Sequence, residues 1–128
     1  LPDLVVHLED TFPLRSYKMI DEMITRLLQG GYDTVIAAHR EIGSMWYEKN
    51  EKNFERIDKG DIPREFKEKT LVGIQGLCCI THPEFVRKGS LLGKKIGLFE
   101  LKDKLSTFEV RNKIDRFTAE KLIKNFVF

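Results

Sequence analysis

The chain has 128 residues, 41% of them hydrophobic, with a formal net charge of +2. That composition suits one globular domain and excludes a disordered tail, and the charge is too small to imply nucleic-acid binding. No apolar run reaches the roughly 18–20 residues of a membrane helix, and no basic-then-apolar leader marks the chain for export, so a cytoplasmic location is expected.

Leu4-Val-Val-His-Leu8 is a short apolar run of strand type, ending in Glu9, Asp10 and Thr11 before a Pro-Leu-Arg corner at Arg15. Leu1 enters this strand almost at once, which suggests a piece of a longer chain. Ser16 can cap a helix to about Gln29, with Met19, Ile20, Met23, Ile24, Leu27 and Leu28 at helical spacing and Gly30-Gly31 as its stop. Thr34 to Ala38 reads as a second buried strand, and strand–helix–strand of this length argues for a parallel pair in an α/β layer fold.

The middle differs. From Glu48 to Lys69 seven acidic and seven basic residues alternate, the mark of a solvated excursion, and Pro63 rules out a central strand there. Leu71 to Ile80 regains strand character, interrupted by Gly73 and Gly76. Thr81 can cap a helix with Pro83 in its first turn, ending near Lys88-Gly89. Ile96 to Leu101 is a further strand, Glu109-Val-Arg111 lies in another, and Asp115 can cap a last helix running to about Val127.

Several groups carry possible chemistry. Gly89-Ser-Leu-Leu-Gly93-Lys-Lys95 has three residues between its glycines and a second Lys, where a triphosphate loop needs four and a Ser or Thr; it reads as a helix-to-strand connection. His7, His39 and His82 do not cluster in sequence, and the adjacent Cys78 and Cys79 would face opposite sides of a strand as reduced thiols. His39 and Arg40 emerge at a strand's C-terminal end, as ligand groups or as a surface pair. Glu9 and Asp10 can bind a metal ion or a sugar hydroxyl, or close a turn. Arg15 can clamp a phosphate or carboxylate, although the tight corner favours a tie to a backbone carbonyl. Glu109 and Arg111, two apart, share a face as an ion pair or around a ligand, the ion pair being the commoner case.

These pieces, in this order, resemble the second half of the acylneuraminate (sialic acid) cytidylyltransferases. Val6-His-Leu-Glu-Asp-Thr-Phe-Pro-Leu-Arg15 is similar to the family's strand and Thr-Ser-Pro-Leu-Arg turn. Ile20-Asp21 and Asp33-Thr-Val-Ile36 follow, then Lys59-Gly-Asp-Ile-Pro63 for Arg-Gln-x-Leu-Pro and Gln75-Gly-Leu-Cys-Cys-Ile80 for Asn-Gly-Ala-Ile-Tyr-Ile. Thr107-Phe-Glu-Val-Arg111 stands for Ser-Ile-Asp-Ile-Asp, and Ile114-Asp with Ala119-Glu120 for Leu-Asp and Ala-Glu.

The resemblance implies a Rossmann-like α/β fold, a three-layer mixed sheet of the nucleotide-diphospho-sugar-transferase type, incomplete here. Residues 1–128 would be the C-terminal part of one domain, with 48–104 holding a dimerisation excursion and the nucleotide loop lying upstream. The implied activity transfers CMP from CTP to an acidic nine-carbon sugar, with magnesium, in a homodimer, and releases pyrophosphate. Glu9, Arg15, Gln75 and Lys59 would then contact substrate and Glu109 would ligate magnesium. Some positions depart from the pattern: Glu9 replaces a Gln, Lys59 an Arg, and Glu109 and Arg111 the two metal-binding Asp residues. Arg111 cannot ligate a cation. A non-catalytic binding or assembly domain of the same fold, or a nucleotidyltransferase for another surface-polysaccharide sugar, are the rival expectations.

Overall fold

The computed structural model describes residues 2–41, 45–57 and 70–126. Among them it places β1 (Val5–His7), α1 (Tyr17–Gly30), β2 (Thr34–Glu41), β3 (Trp46–Asn50), β4 (Asn53–Arg56), β5 (Thr70–Gly73), β6 (Cys79–Thr81), α2 (Pro83–Arg87), β7 (Ile96–Glu100) and α3 (Lys113–Asn125). A 3₁₀ turn spans Leu105–Thr107. The fold is mixed α/β around a mixed sheet.

β2 is the hub of that sheet. It pairs in parallel with β7 along one edge and antiparallel with β6 and then β5 along the other. β1 joins on the far side of β6, also antiparallel. β1 and β2 therefore run in the same direction, as a strand–helix–strand crossover requires, but they are not neighbours. The expected adjacent parallel pair is corrected: β6 lies between them, supplied by residues more than forty positions after β2 begins.

The expected strand from Leu71 to Ile80 is two strands. After Gly73 the chain leaves the ladder in a turn closed by Leu77 N–H donating to the Ile74 carbonyl (3.1 Å), then rejoins it at Cys79. Both flanks hold to β2, through Ile74 N–H to the Ala37 carbonyl (2.7 Å) and Ala37 N–H to the Cys78 carbonyl (3.0 Å).

α1 covers one sheet face because its apolar residues recur every three or four positions. Met19, Met23 and Leu27 pack with Val35, Ala37, Cys78 and Ile80, and burial of each large side chain contributes about 1.5–3 kcal/mol. Gly31 stops the helix at φ 63°, a left-handed position that glycine adopts without strain, and its N–H donates to the Leu27 carbonyl. Ser16 occupies the N-cap position as expected, but its side chain caps nothing; its N–H donates to Ser106 Oγ (3.3 Å).

Two other caps differ from expectation. His82, not Thr81, precedes α2, because the Thr81 hydroxyl is buried against Thr34 Oγ1 at 2.9 Å. Asn112, not Asp115, caps α3: Asn112 Oδ1 accepts from Asp115 N–H (2.8 Å), and Asp115 Oδ2 accepts from Arg111 N–H (3.0 Å). Glu109-Val-Arg111 is not a strand but an extended connection, fixed by Val110 N–H donating to the Thr11 carbonyl (2.8 Å).

β3 and β4 form a separate exposed hairpin that presents Trp46, Tyr47 and Phe54 to solvent. Among the described residues no helix is long and apolar enough to cross a membrane.

Candidate functional site

The C-terminal ends of β1, β2 and β7 point the same way, and polar groups gather beyond them, where open α/β sheets bind ligands. The corner after β1 builds one wall. Arg15 Nε donates to the Leu77 carbonyl (2.8 Å) and Arg15 Nη2 to the Glu9 carbonyl, while its guanidinium lies 5.9 Å from the centre of the Phe12 ring. Burial lowers the Arg15 pKa from its ordinary value, opposed by Cys78 and Glu9. The tight corner favours a backbone tie over a ligand clamp for Arg15, and the two carbonyl bonds make it a tie between the β1 corner and the turn before β6.

The same turn receives Glu9, whose N–H donates to the Gly76 carbonyl at 2.7 Å. A Cβ at Gly76 would collide with the Glu9 carboxylate, so any larger residue there would push that side chain aside. Gln75 is exposed one residue earlier, and His7 Nε2 stands 3.8 Å from Glu9 Oε1.

The second wall is the connection after the 3₁₀ turn. Thr11 Oγ1 donates to Glu109 Oε2 (3.2 Å), and Arg111 Nε donates to Glu109 Oε1 (2.6 Å). With the Val110–Thr11 backbone bond, this joins the β1 corner to residues nearly a hundred positions later. Beside this connection lies a cleft of about 330 Å³, lined by Phe12, His39, Val72, Gly73, Ile74, Thr107, Glu109 and Arg111, so that Phe12 alone enters it from the β1 corner. Its volume fits a ligand of monosaccharide size.

Of the residues named from sequence as substrate or metal contacts, Glu109 lines the cleft, and Glu9, Arg15 and Gln75 are not among its lining residues. Lys59 lies outside the described residues. His39, left open between ligand group and surface pair, lines the cleft, whereas Arg40 turns to Glu100, with Nε to Oε2 at 2.7 Å. Sequence reasoning missed the part of Phe12, Thr107 and the Thr11 bond to Glu109. A hydroxyl directly after two carboxylates at a strand end was the one local sign of the last.

Glu109 does not suit magnesium. That ion demands six oxygens in near-ideal octahedral geometry at about 2.0–2.1 Å. Both Glu109 oxygens are already engaged, and the guanidinium on Oε1 stands where a cation would approach.

The Gly89–Lys95 segment has its amides committed elsewhere. Lys94 and Lys95 N–H both donate to Asp33 Oδ2 at 2.9 Å, as expected of a connection and not of a phosphate loop. These bonds, the Lys95 one first, hold the Asp33 carboxyl below its usual 3.8 despite partial desolvation. Cys78 and Cys79 are both buried free thiols, and desolvation pushes Cys78 up to about 11.

The chain matches no protein-family model, and no curated protein matches it.

Proposed function

We propose that this chain forms the acceptor side of a cytidylyltransferase-type enzyme, which transfers CMP from CTP to an acidic nine-carbon sugar of the acylneuraminate type. The sugar hydroxyl attacks the α-phosphate and gives up its proton to solvent, a phosphorus–oxygen bond forms as the bond to the bridging oxygen breaks, and pyrophosphate leaves. Catalysis of this kind is chiefly positioning and charge stabilisation.

One observation carries the reading. Glu109, bonded by Thr11, and Arg111 line a monosaccharide-sized cleft at the C-terminal end of the sheet, and the two segments involved have motifs that resemble that family. In this reading the cleft receives the sugar, with His39 and Arg111 on its polar side and Phe12, Val72 and Ile74 on its apolar side. Glu9 and Gln75 flank the entry, and Lys59 supplies a positive group for the sugar carboxylate, in trans. The exposed Trp46 and Phe54 of the hairpin serve a homodimer; Trp46→Glu would then convert dimer to monomer in sedimentation.

The test is pyrophosphate release by the full-length protein from CTP with a panel of nonulosonic acids. Silence with every acid, in a folded protein, removes the reading. A panel of other nucleoside triphosphates and sugars detects a nucleotidyltransferase for a different surface sugar. The engagement of Glu109 by Thr11 and Arg111 favours a second reading, a binding or assembly domain without catalysis. Calorimetric CTP binding together with pyrophosphate release would exclude it.

A further inference from the structure

Resting on the nucleotidyltransferase reading but going beyond it, we propose that Arg111, braced by Glu109, offers its free guanidinium donors to this cleft where a divalent cation is expected, so that an oxyanion of the ligand, carboxylate or phosphate, binds there without metal.

The guanidinium is exposed but tied at its Nε to a carboxylate that is itself held. Glu109 is the inner partner, its side chain 23% exposed, and Arg111 the outer, 77% exposed at the cleft mouth. Thr11 fixes the carboxylate from behind, so Glu109 cannot swing toward an incoming ion without losing that bond. The Arg111 backbone is fixed as well, by its N–H to Asp115 Oδ2 and by the Asn112 cap beside it. The bond to Glu109 uses Nε, which leaves the two terminal nitrogens, with four N–H donors, for a ligand. A planar fork of this kind matches a carboxylate or phosphate with two parallel bonds. His39, Phe12, Val72 and Ile74 line the same cleft. Among the described residues Glu109 is the one carboxylate in the lining, and its pair with Arg111 is neutral overall, so what the pair offers a ligand is the free N–H donors of the guanidinium.

The experiment is isothermal titration of the full-length protein with N-acetylneuraminic acid and, separately, with CTP, each in EDTA and in magnesium. At least one probe should bind in EDTA, and magnesium should change that affinity by less than about threefold. Arg111→Ala should weaken it roughly tenfold to a hundredfold, the worth of a charge-assisted bidentate contact. Arg111→Lys, which keeps the charge and guards against a folding artefact, should recover only part. The sugar arm and the nucleotide arm tell carboxylate from phosphate. Binding that needs magnesium, that ignores Arg111→Ala, or that is absent for both probes in EDTA overturns the proposal. Magnesium-dependent binding with pyrophosphate release would end this inference and leave the nucleotidyltransferase reading standing. Metal-free binding that needs Arg111, without pyrophosphate release, would do the reverse.

Discussion

Replacing Arg15 by Ala tests how the β1 corner is held. The side chain bonds the carbonyls of Leu77 and Glu9 and lies over Phe12. Leu77 is fully buried, so its carbonyl loses a charge-assisted partner that water replaces poorly, at a cost of about 1.5–3 kcal/mol. Glu9 is exposed, and water restores most of its bond, leaving a loss of about 0.5 kcal/mol. The ring contact at 5.9 Å sits near the outer limit of such interactions and adds about 0.5 kcal/mol. The expected total is about 2.5–4 kcal/mol, a large share of the ~5–15 kcal/mol that holds a domain together. With a urea slope of about 2 kcal/mol per molar, the unfolding midpoint should fall by about 1–2 M. Arg15→Lys presents one ammonium to two separated acceptors and should recover less than half. An Ala variant within about 0.5 kcal/mol of the parent, or full recovery by Lys, would refute the tie.

Asn112→Ala removes the α3 cap and should cost about 1 kcal/mol in urea unfolding, whereas Asn112→Asp, which can still accept from Asp115 N–H, should cost much less. Asp33→Asn should flatten the acid limb of stability: the folded carboxyl lies below 3.8, so its contribution is complete above that value and vanishes as pH falls through the folded one. A difference in unfolding midpoint between the parent and the Asp33→Asn variant that stays constant from neutral to strongly acidic pH would count against that assignment. The Cys78 thiol, raised to about 11 by burial, should resist iodoacetamide in the native protein and react only on unfolding; fast native labelling would show the strand to be open.

Local pattern made α1 and the core of β2 legible. Met19, Met23 and Leu27 repeat at helical spacing, and the helix stops at the Gly30-Gly31 pair that marked its end in the sequence. Thr34 to Ala38 is apolar because it is buried, but β2 runs on to Glu41 because β5 offers hydrogen bonds, a fact no local window contains. For the same reason the insertion of β6 between β1 and β2 was invisible: it depends on Cys79–Thr81 finding both partners across the chain. Glu109-Val-Arg111 looked like a strand because alternation is also what a three-residue extended connection shows; only the Thr11 contact decides its path. Asn112 is legible in principle as a cap residue, since Asn is favoured there, although the Asp115 carboxylate reaches back to the N–H of Arg111, one residue before the cap. The residues of the candidate cleft could be named singly from sequence, but their joining could not.

The position of β6 also sets the order in which the molecule can be built. During synthesis β1, α1 and β2 leave the ribosome before β6, so the pairing of β1 with β6 waits until Cys79–Thr81 follow. The cleft waits longer still, for Glu109. Chain closure over such separations makes folding slow, and exposes unpaired strand edges while it lasts. A nascent chain arrested before Cys79 should therefore need chaperone shelter that one arrested after α3 does not.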